Sequence, residues 1–127
     1  MTTDEFISAT IGRVQWKKYA ANWQFMDCFG LLAMYFYHVC GVTVARGNDM
    51  AEYASLGWHE VADPAPNATA FMAWRDGKPW HCGVYIGRGM ILHCDGDENR
   101  PGGVRINTIE AVQKIYGEIR FYAYHPA

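Results

Sequence analysis

Three side chains of this 127-residue chain have the types and settings to do chemistry together: Cys28, His81 and His93. Cys28 follows Asp27 and opens the run Cys28-Phe29-Gly30-Leu31-Leu32. Aspartate is a good N-cap, because its carboxylate accepts the free N–H groups of the next turn. A thiol in a first helical turn meets unpaired N–H groups and the positive end of the helix dipole, and both favour the thiolate. A thiolate beside an imidazole is a nucleophile with its own proton acceptor. A second polar group can hold that imidazole in orientation, which completes the set a cysteine hydrolase needs. On position alone an inert thiol competes with this reading, since free cysteine is among the most buried residue types.

The elements that must position these groups can be read from spacing. Cys28, Leu31, Leu32, Tyr35, His38 and Val39 recur at three- and four-residue intervals up to Gly41, a natural residue to follow a helix end. This predicts a helix whose inward face carries the thiol. Residues 80–86 and 90–95 read as strands on either side of Gly87-Arg88-Gly89, a tight three-residue hairpin loop. In that register Ile86 faces Met90, Gly83 faces His93 and His81 faces Asp95. Opposed residues share a face, as do residues two apart, so His81 and His93 project together as diagonal neighbours about 7–8 Å apart at Cα. Cys82, Val84, Ile86, Met90, Leu92 and Cys94 take the other face.

The same parity argues against zinc. His81-Cys82 and His93-Cys94 resemble ligand pairs, but adjacent strand residues point to opposite faces and neither pair has the usual gap between cysteine ligands. Cys82 and Cys94 are read as packed thiols and Cys40 as the buried end of the helix. No metal and no cofactor are expected.

In the rest of the chain, Thr2 with Glu5 resembles a capping box, predicting a short helix over 3–11. Residues 13–26 hold Val14, Trp16, Tyr19, Trp23 and Phe25 at spacings that fit neither period, and read as an irregular aromatic-rich loop. Asn48 or Asp49 can cap a helix running to Leu56, stopped by Gly57. From Trp58 to Asn67 the chain reads as an exposed connector, punctuated by Asp63-Pro64-Ala65-Pro66-Asn67. Further strands are expected over 70–74, 104–107 and 118–124, with a turn at Arg75-Asp76-Gly77-Lys78-Pro79. Hairpin-linked strands after a helical first half imply an α+β fold with a mostly antiparallel sheet.

Composition bounds the function. At 127 residues the chain is expected to be one domain, residues 1–127, large enough for a core without staples. Half the residues are apolar and 15% aromatic, which excludes disorder. No apolar run approaches the roughly 20 residues of a membrane span. The acidic start Met1-Thr2-Thr3-Asp4-Glu5 does not resemble a signal peptide, so synthesis in a cytoplasm and reduced cysteines are expected. A formal charge of −2 with scattered Lys and Arg leaves no footprint for nucleic acid.

Asp27-Cys28-Phe29-Gly30-Leu31-Leu32 resembles the Asp-Cys-x-Gly-Leu-Val box of the NlpC-type cell-wall cysteine peptidases. His81-Cys82-Gly83-Val84-Tyr85-Ile86-Gly87 resembles that family's His-Val-Gly-Ile-Tyr-Leu-Gly strand, and Met90-Ile91-Leu92-His93 its next strand, which ends in a third polar residue. The three boxes stand in order, and the resemblance covers about residues 11 to 108. It implies a papain-like α+β fold with N-terminal helices packed on the sheet. The activity it implies is hydrolysis of amide bonds in peptidoglycan stem peptides, often the bond after γ-linked D-glutamate. Cys28 would be the nucleophile, His81 the general base and then acid, and His93 the orienting residue. A family tyrosine near the oxyanion has its counterpart at Trp16 or Tyr19. The glycine pair that precedes the family's box is replaced by Ala20-Ala21-Asn22-Trp23-Gln24. The short form resembles versions encoded in phage tail clusters. That implies tail proteins as partners and a virion tail acting at the host wall as the location. The alternative is a catalytically silent tail structural or assembly protein that keeps the fold.

Overall fold

A computed structural model describes residues 1–45, 52 and 55–125. The first helix, α1 (Thr3–Thr10), starts at the expected capping box: Glu5 N–H donates to Thr2 Oγ1 at 3.1 Å, and Thr2 N–H donates to Glu5 Oε1 at 2.9 Å. Residues 13–26 are irregular apart from β1 (Gln15–Trp16) and β2 (Phe25–Met26), two short strands that pair in parallel. Helix α2 (Cys28–His38) follows directly. The helix expected from Asn48 or Asp49 lies largely outside the described residues.

The second half is the predicted sheet, with two additions. β4 (Thr69–Arg75), β5 (Lys78–Gly87), β6 (Met90–Asp97) and β7 (Arg100–Thr108) extend the expected strands by a few residues each, and β8 (Glu118–Tyr124) has the expected bounds. β3 (Trp58–Val61) corrects the expected connector: it pairs antiparallel with β8 at the sheet's end, and its Trp58 is buried against Phe36 and Tyr124. Helix α3 (Ile109–Tyr116) was not anticipated. Its signals are nonetheless present, with Thr108 as N-cap, Ile109, Val112 and Tyr116 at helical spacing, and Gly117 after it. The eight strands form one sheet in the order β2-β1-β7-β6-β5-β4-β8-β3, antiparallel except at β1–β2. The fold is α+β, as expected. Among the described helices none is long and apolar enough to cross a membrane.

The sheet has a core on each face. On one, α2 packs Phe29, Leu31, Leu32, Tyr35 and Phe36 against Ala70, Met72, Cys82, Val84, Leu92 and Cys94. Phe29 and Phe36 join the inward face read from the sequence, Val39 packs at its edge, and His38 stands beside the Trp23 and Tyr37 rings. On the other face, α3 packs Val112 and Tyr116 against Phe71, Ala73 and Ile91.

The β5–β6 register is the predicted one, Val84 opposite Leu92 and Tyr85 opposite Ile91. At the hairpin end it differs. Gly87 rather than Ile86 pairs with Met90, so the loop is the two-residue turn Arg88-Gly89, with positive φ at both positions, and a bulge at Ile86 absorbs the extra residue. Gly83 is required by close approach. A methyl group there would lie 2.6 Å from Phe71 Cε1 and 2.9 Å from His93 Cβ, and would overlap the Leu92 carbonyl oxygen. Gly83→Ala is therefore expected to destabilise the domain by about 3 kcal/mol, measured as a fall in the urea midpoint at unchanged m-value. A variant as stable as wild type would mean the strands have room that the structure denies them.

Candidate active site

Cys28 is the first residue of α2, and the cap behind it works as the sequence suggests. Asp27 Oδ1 accepts from Gly30 N–H at 2.7 Å and Oδ2 from Tyr19 N–H at 2.8 Å, while Asp27 N–H donates to Ala20 O at 3.1 Å. One carboxylate thus ties the irregular loop to the helix start. Residue 30 must be glycine for the same reason, since a Cβ there would overlap the Ala20 carbonyl. From the sheet, Cys94 Sγ donates to Met26 O at 3.1 Å and anchors the residue two before the thiol.

The strands make the place for Cys28. β4 pairs with β5 down to Lys78, but β5 and β6 pair only as far as Val84 and Leu92; beyond that point β6 pairs with β7 alone. The sheet is open beside Cys82 and His81, and the start of α2 packs there. The Cys28 thiol lies within hydrogen-bonding reach of the Cys82 thiol, the His81 ring and the Cys82 N–H. The bond from the Cys82 thiol is the largest influence, and those from His81 and the Cys82 N–H add to it together with the His81 charge. Against the opposing effect of burial, they hold Cys28 well below the usual thiol range. The other three cysteines move the opposite way. Burial raises Cys40, pushes Cys94 up to about 12, and with Cys28's proximity raises Cys82 well above its ordinary value.

His81 and His93 share the opposite face, as parity predicted, and touch: His81 Nε2 and His93 Nδ1 are 2.8 Å apart. Both rings are buried, at 4% and 2% exposure. With Nε2 engaged by His93, the His81 nitrogen left for the thiol is Nδ1. Burial, then the neighbouring His81 charge, lowers His93 to about 4. The separation of the thiol core from the histidine face also leaves each His-Cys dipeptide split across the sheet. Among the described residues, no group of three His, Cys, Asp or Glu is gathered to hold a metal ion.

Trp16 and Tyr19 differ in place. Trp16 is half-buried in β1 and packs over Gly96, where an added Cβ would come within 2.7 Å of its Cβ. Tyr19 is tied to the site through its backbone bond to Asp27, while its side chain is 73% exposed and lies beside Lys18.

Four residues of the site had been given no functional role from the sequence. Tyr116, from α3, stacks its ring on His81 with centroids 3.8 Å apart and planes 9° apart. Its hydroxyl donates to Asp95 Oδ1 in a short bond. Arg100 completes the cluster, donating to Asp95 Oδ2 at 3.2 Å and Oδ1 at 3.0 Å and to the Tyr116 hydroxyl at 3.3 Å. Although burial alone would raise Asp95, the bonds from Arg100 and Tyr116 hold it down to about 2. Asn107 is the fourth, with Oδ1 2.8 Å from His93 Nε2. The legible signal for Tyr116 was the capped 109–116 spacing; for Asn107 it was the strand parity that puts it on the His93 face.

This arrangement can generate a thiolate, take up a proton beside it and hold the acceptor ring still. His93 also gives the site a pH signature. Its folded value of about 4 lies below the ordinary 6.5, so the fold favours the neutral ring. The resulting stability is complete above 6.5 and is lost as pH falls through that window toward 4, where only the unfolded chain readily takes up the proton. Urea unfolding at about pH 7.5 and about pH 4.5 should show wild type losing roughly 2 kcal/mol more than His93→Gln. Equal losses in the two proteins would contradict a neutral, buried His93.

The family model described as NlpC/P60 family matches residues 13–118. No curated protein sequence matches. Fourteen chains of solved structures do. One is the crystal structure of the NlpC/p60 domain of the peptidoglycan hydrolase SagA, 15% identical, with a TM-score of 0.64 over 96% of this chain and 94% of that one. At that identity the likeness is one of fold.

Proposed function

The chain belongs to the NlpC/P60 family, and from that premise we propose that it is a cysteine peptidase that hydrolyses amide bonds in peptidoglycan stem peptides. The observation that carries this reading is a thiol at a helix start that its neighbour His81 helps to acidify, with the His81 ring itself held 2.8 Å from His93. The SagA domain, from a protein titled a peptidoglycan hydrolase, supports the choice of substrate through its shared fold.

In this proposal Cys28 is the nucleophile. Its thiolate forms a bond to the carbonyl carbon of the scissile amide, and negative charge moves to the carbonyl oxygen. The Cys28 backbone N–H, at the positive end of α2, is placed to receive that oxyanion. His81, protonated by the thiol, passes the proton to the amide nitrogen as the C–N bond breaks, leaving a thioester on Cys28 and a free amine. Water then attacks the thioester, His81 takes its proton, and the C–S bond breaks to release a carboxylic acid and regenerate the thiol. His93 orients His81 through the 2.8 Å bond. Trp16 and Tyr19, on the segment beside the helix start, are the residues we assign to substrate or oxyanion contact on family resemblance. The preferred bond, after γ-linked D-glutamate, and delivery to the wall by a phage tail rest on the same resemblance.

Purified protein is expected to release stem-peptide fragments from peptidoglycan under reducing conditions, detected by mass spectrometry. Cys28→Ala should lower the rate by a factor on the order of 10³ or more. Wild type that cuts nothing between about pH 6 and about pH 9 would overturn hydrolysis and favour a silent structural protein on the same fold.

A further inference from the structure

His81, His93 and Asn107 lie on three adjacent strands, β5, β6 and β7, along one diagonal of one sheet face. Asn107 pairs with Ile91 across the β6–β7 ladder, and His93 pairs with Arg105, so Asn107 and His93 are diagonal neighbours like His93 and His81. The bonds are 2.8 Å at each step. Both rings are shut from water, and the line meets the surface at Asn107, which lines an open groove with Arg13, Gln15 and Arg105.

A neutral imidazole has one N–H and one lone pair, so a chain of two rings has a direction. When Asn107 Oδ1 faces His93, the Nε2–H of His93 donates to it. His93 Nδ1 then accepts from the Nε2–H of His81, and a lone pair on His81 Nδ1 faces Cys28. When the amide is turned round, its N–H₂ donates to His93, every bond reverses, and His81 points an N–H at the thiol. Only the first arrangement lets His81 accept the thiol proton. In the structure Oδ1 is the atom on His93.

We propose that Asn107 is a positioning residue that fixes the direction of this relay, holding His81 and His93 as their Nε2–H tautomers so that His81 can serve Cys28. The proposal rests on the reading of His81 as the base. Backbone alignment alone does not supply this, because the ladder fixes ring positions and leaves the tautomer free. The other groups facing His93 do not set the direction. Phe71 and Tyr116 offer ring contacts at 6.3 and 6.2 Å, while Asp95 and Arg105 are paired with each other and Asp95 also with Arg100.

The test is nitrogen NMR of the histidine rings together with the rate of Cys28 alkylation by iodoacetamide near neutral pH. Wild type should show Nε2–H at both rings. Asn107→Leu should give His93 in mixed tautomers and slow alkylation by about tenfold or more. Asn107→Asp keeps an acceptor, so it should restore both tautomers and the rate while shifting the His93 titration upward through its added charge. A wild-type His93 protonated at Nδ1, or an Asn107→Leu protein with wild-type tautomers and rate, overturns the proposal. If Asn107→Leu fails to fold, the wild-type tautomer and the Asn107→Asp titration decide it. Protein that shows the expected tautomers and responses but leaves peptidoglycan intact would retain Asn107's role and overturn hydrolysis. Protein that cleaves with the reversed tautomers would overturn this role alone.

Discussion

The site depends on β5 and β6 parting beyond Val84 and Leu92. A continuous ladder there would close the sheet between its two faces, with the thiols on the α2 side and the histidines on the α3 side. Because the ladder stops, the start of α2 can bring Cys28 beside a strand edge that offers Cys82 on one face and His81 on the other. The parting is set by what surrounds it. Gly83 allows β4, β5 and β6 to press together at the edge of the opening, β7 goes on pairing with β6 below it, and Asp27 and Cys94 hold the incoming chain.

Burial disfavours the charged form of every titratable group, so it moves thiols and imidazoles in opposite directions. It raises thiols that have no donor to stabilise their charge, as at Cys94, and lowers the buried His93. Cys28 escapes this because donors converge on it at a helix start. Farther out, Tyr116 lies flat on His81 and is itself held by Asp95 and Arg100, so an electrostatic cluster near the surface fixes a ring at the centre.

Much of this was legible in the sequence because it follows from parity and capping. Period-two alternation placed His81 and His93 together without knowledge of the fold, and the twelve-residue step from one to the other set the register that the bulge at Ile86 preserves. Asp27 and Thr2 announced their helices through local chemistry. What escaped depended on tertiary partners. Trp58–Val61 became a strand because β8 offered an edge, which no local pattern in a proline-rich stretch reveals. The 109–116 helix was short enough to be passed over between two strands, and with it went Tyr116. Asp95, Arg100 and Asn107 are ordinary polar strand residues in sequence; only the pairing of β6 with β7 gathers them around the histidines.

The central claim is that the Cys28 thiol is acidified at its helix start by the neighbouring His81 ring. Titrating the ultraviolet absorbance of the thiolate in wild type, His81→Ala and Cys28→Ser proteins tests it most directly. The account predicts one thiolate that forms well below the ordinary thiol range in wild type, shifts upward in His81→Ala and disappears in Cys28→Ser. A Cys28 thiol that titrates in the ordinary range and is indifferent to His81 would contradict it.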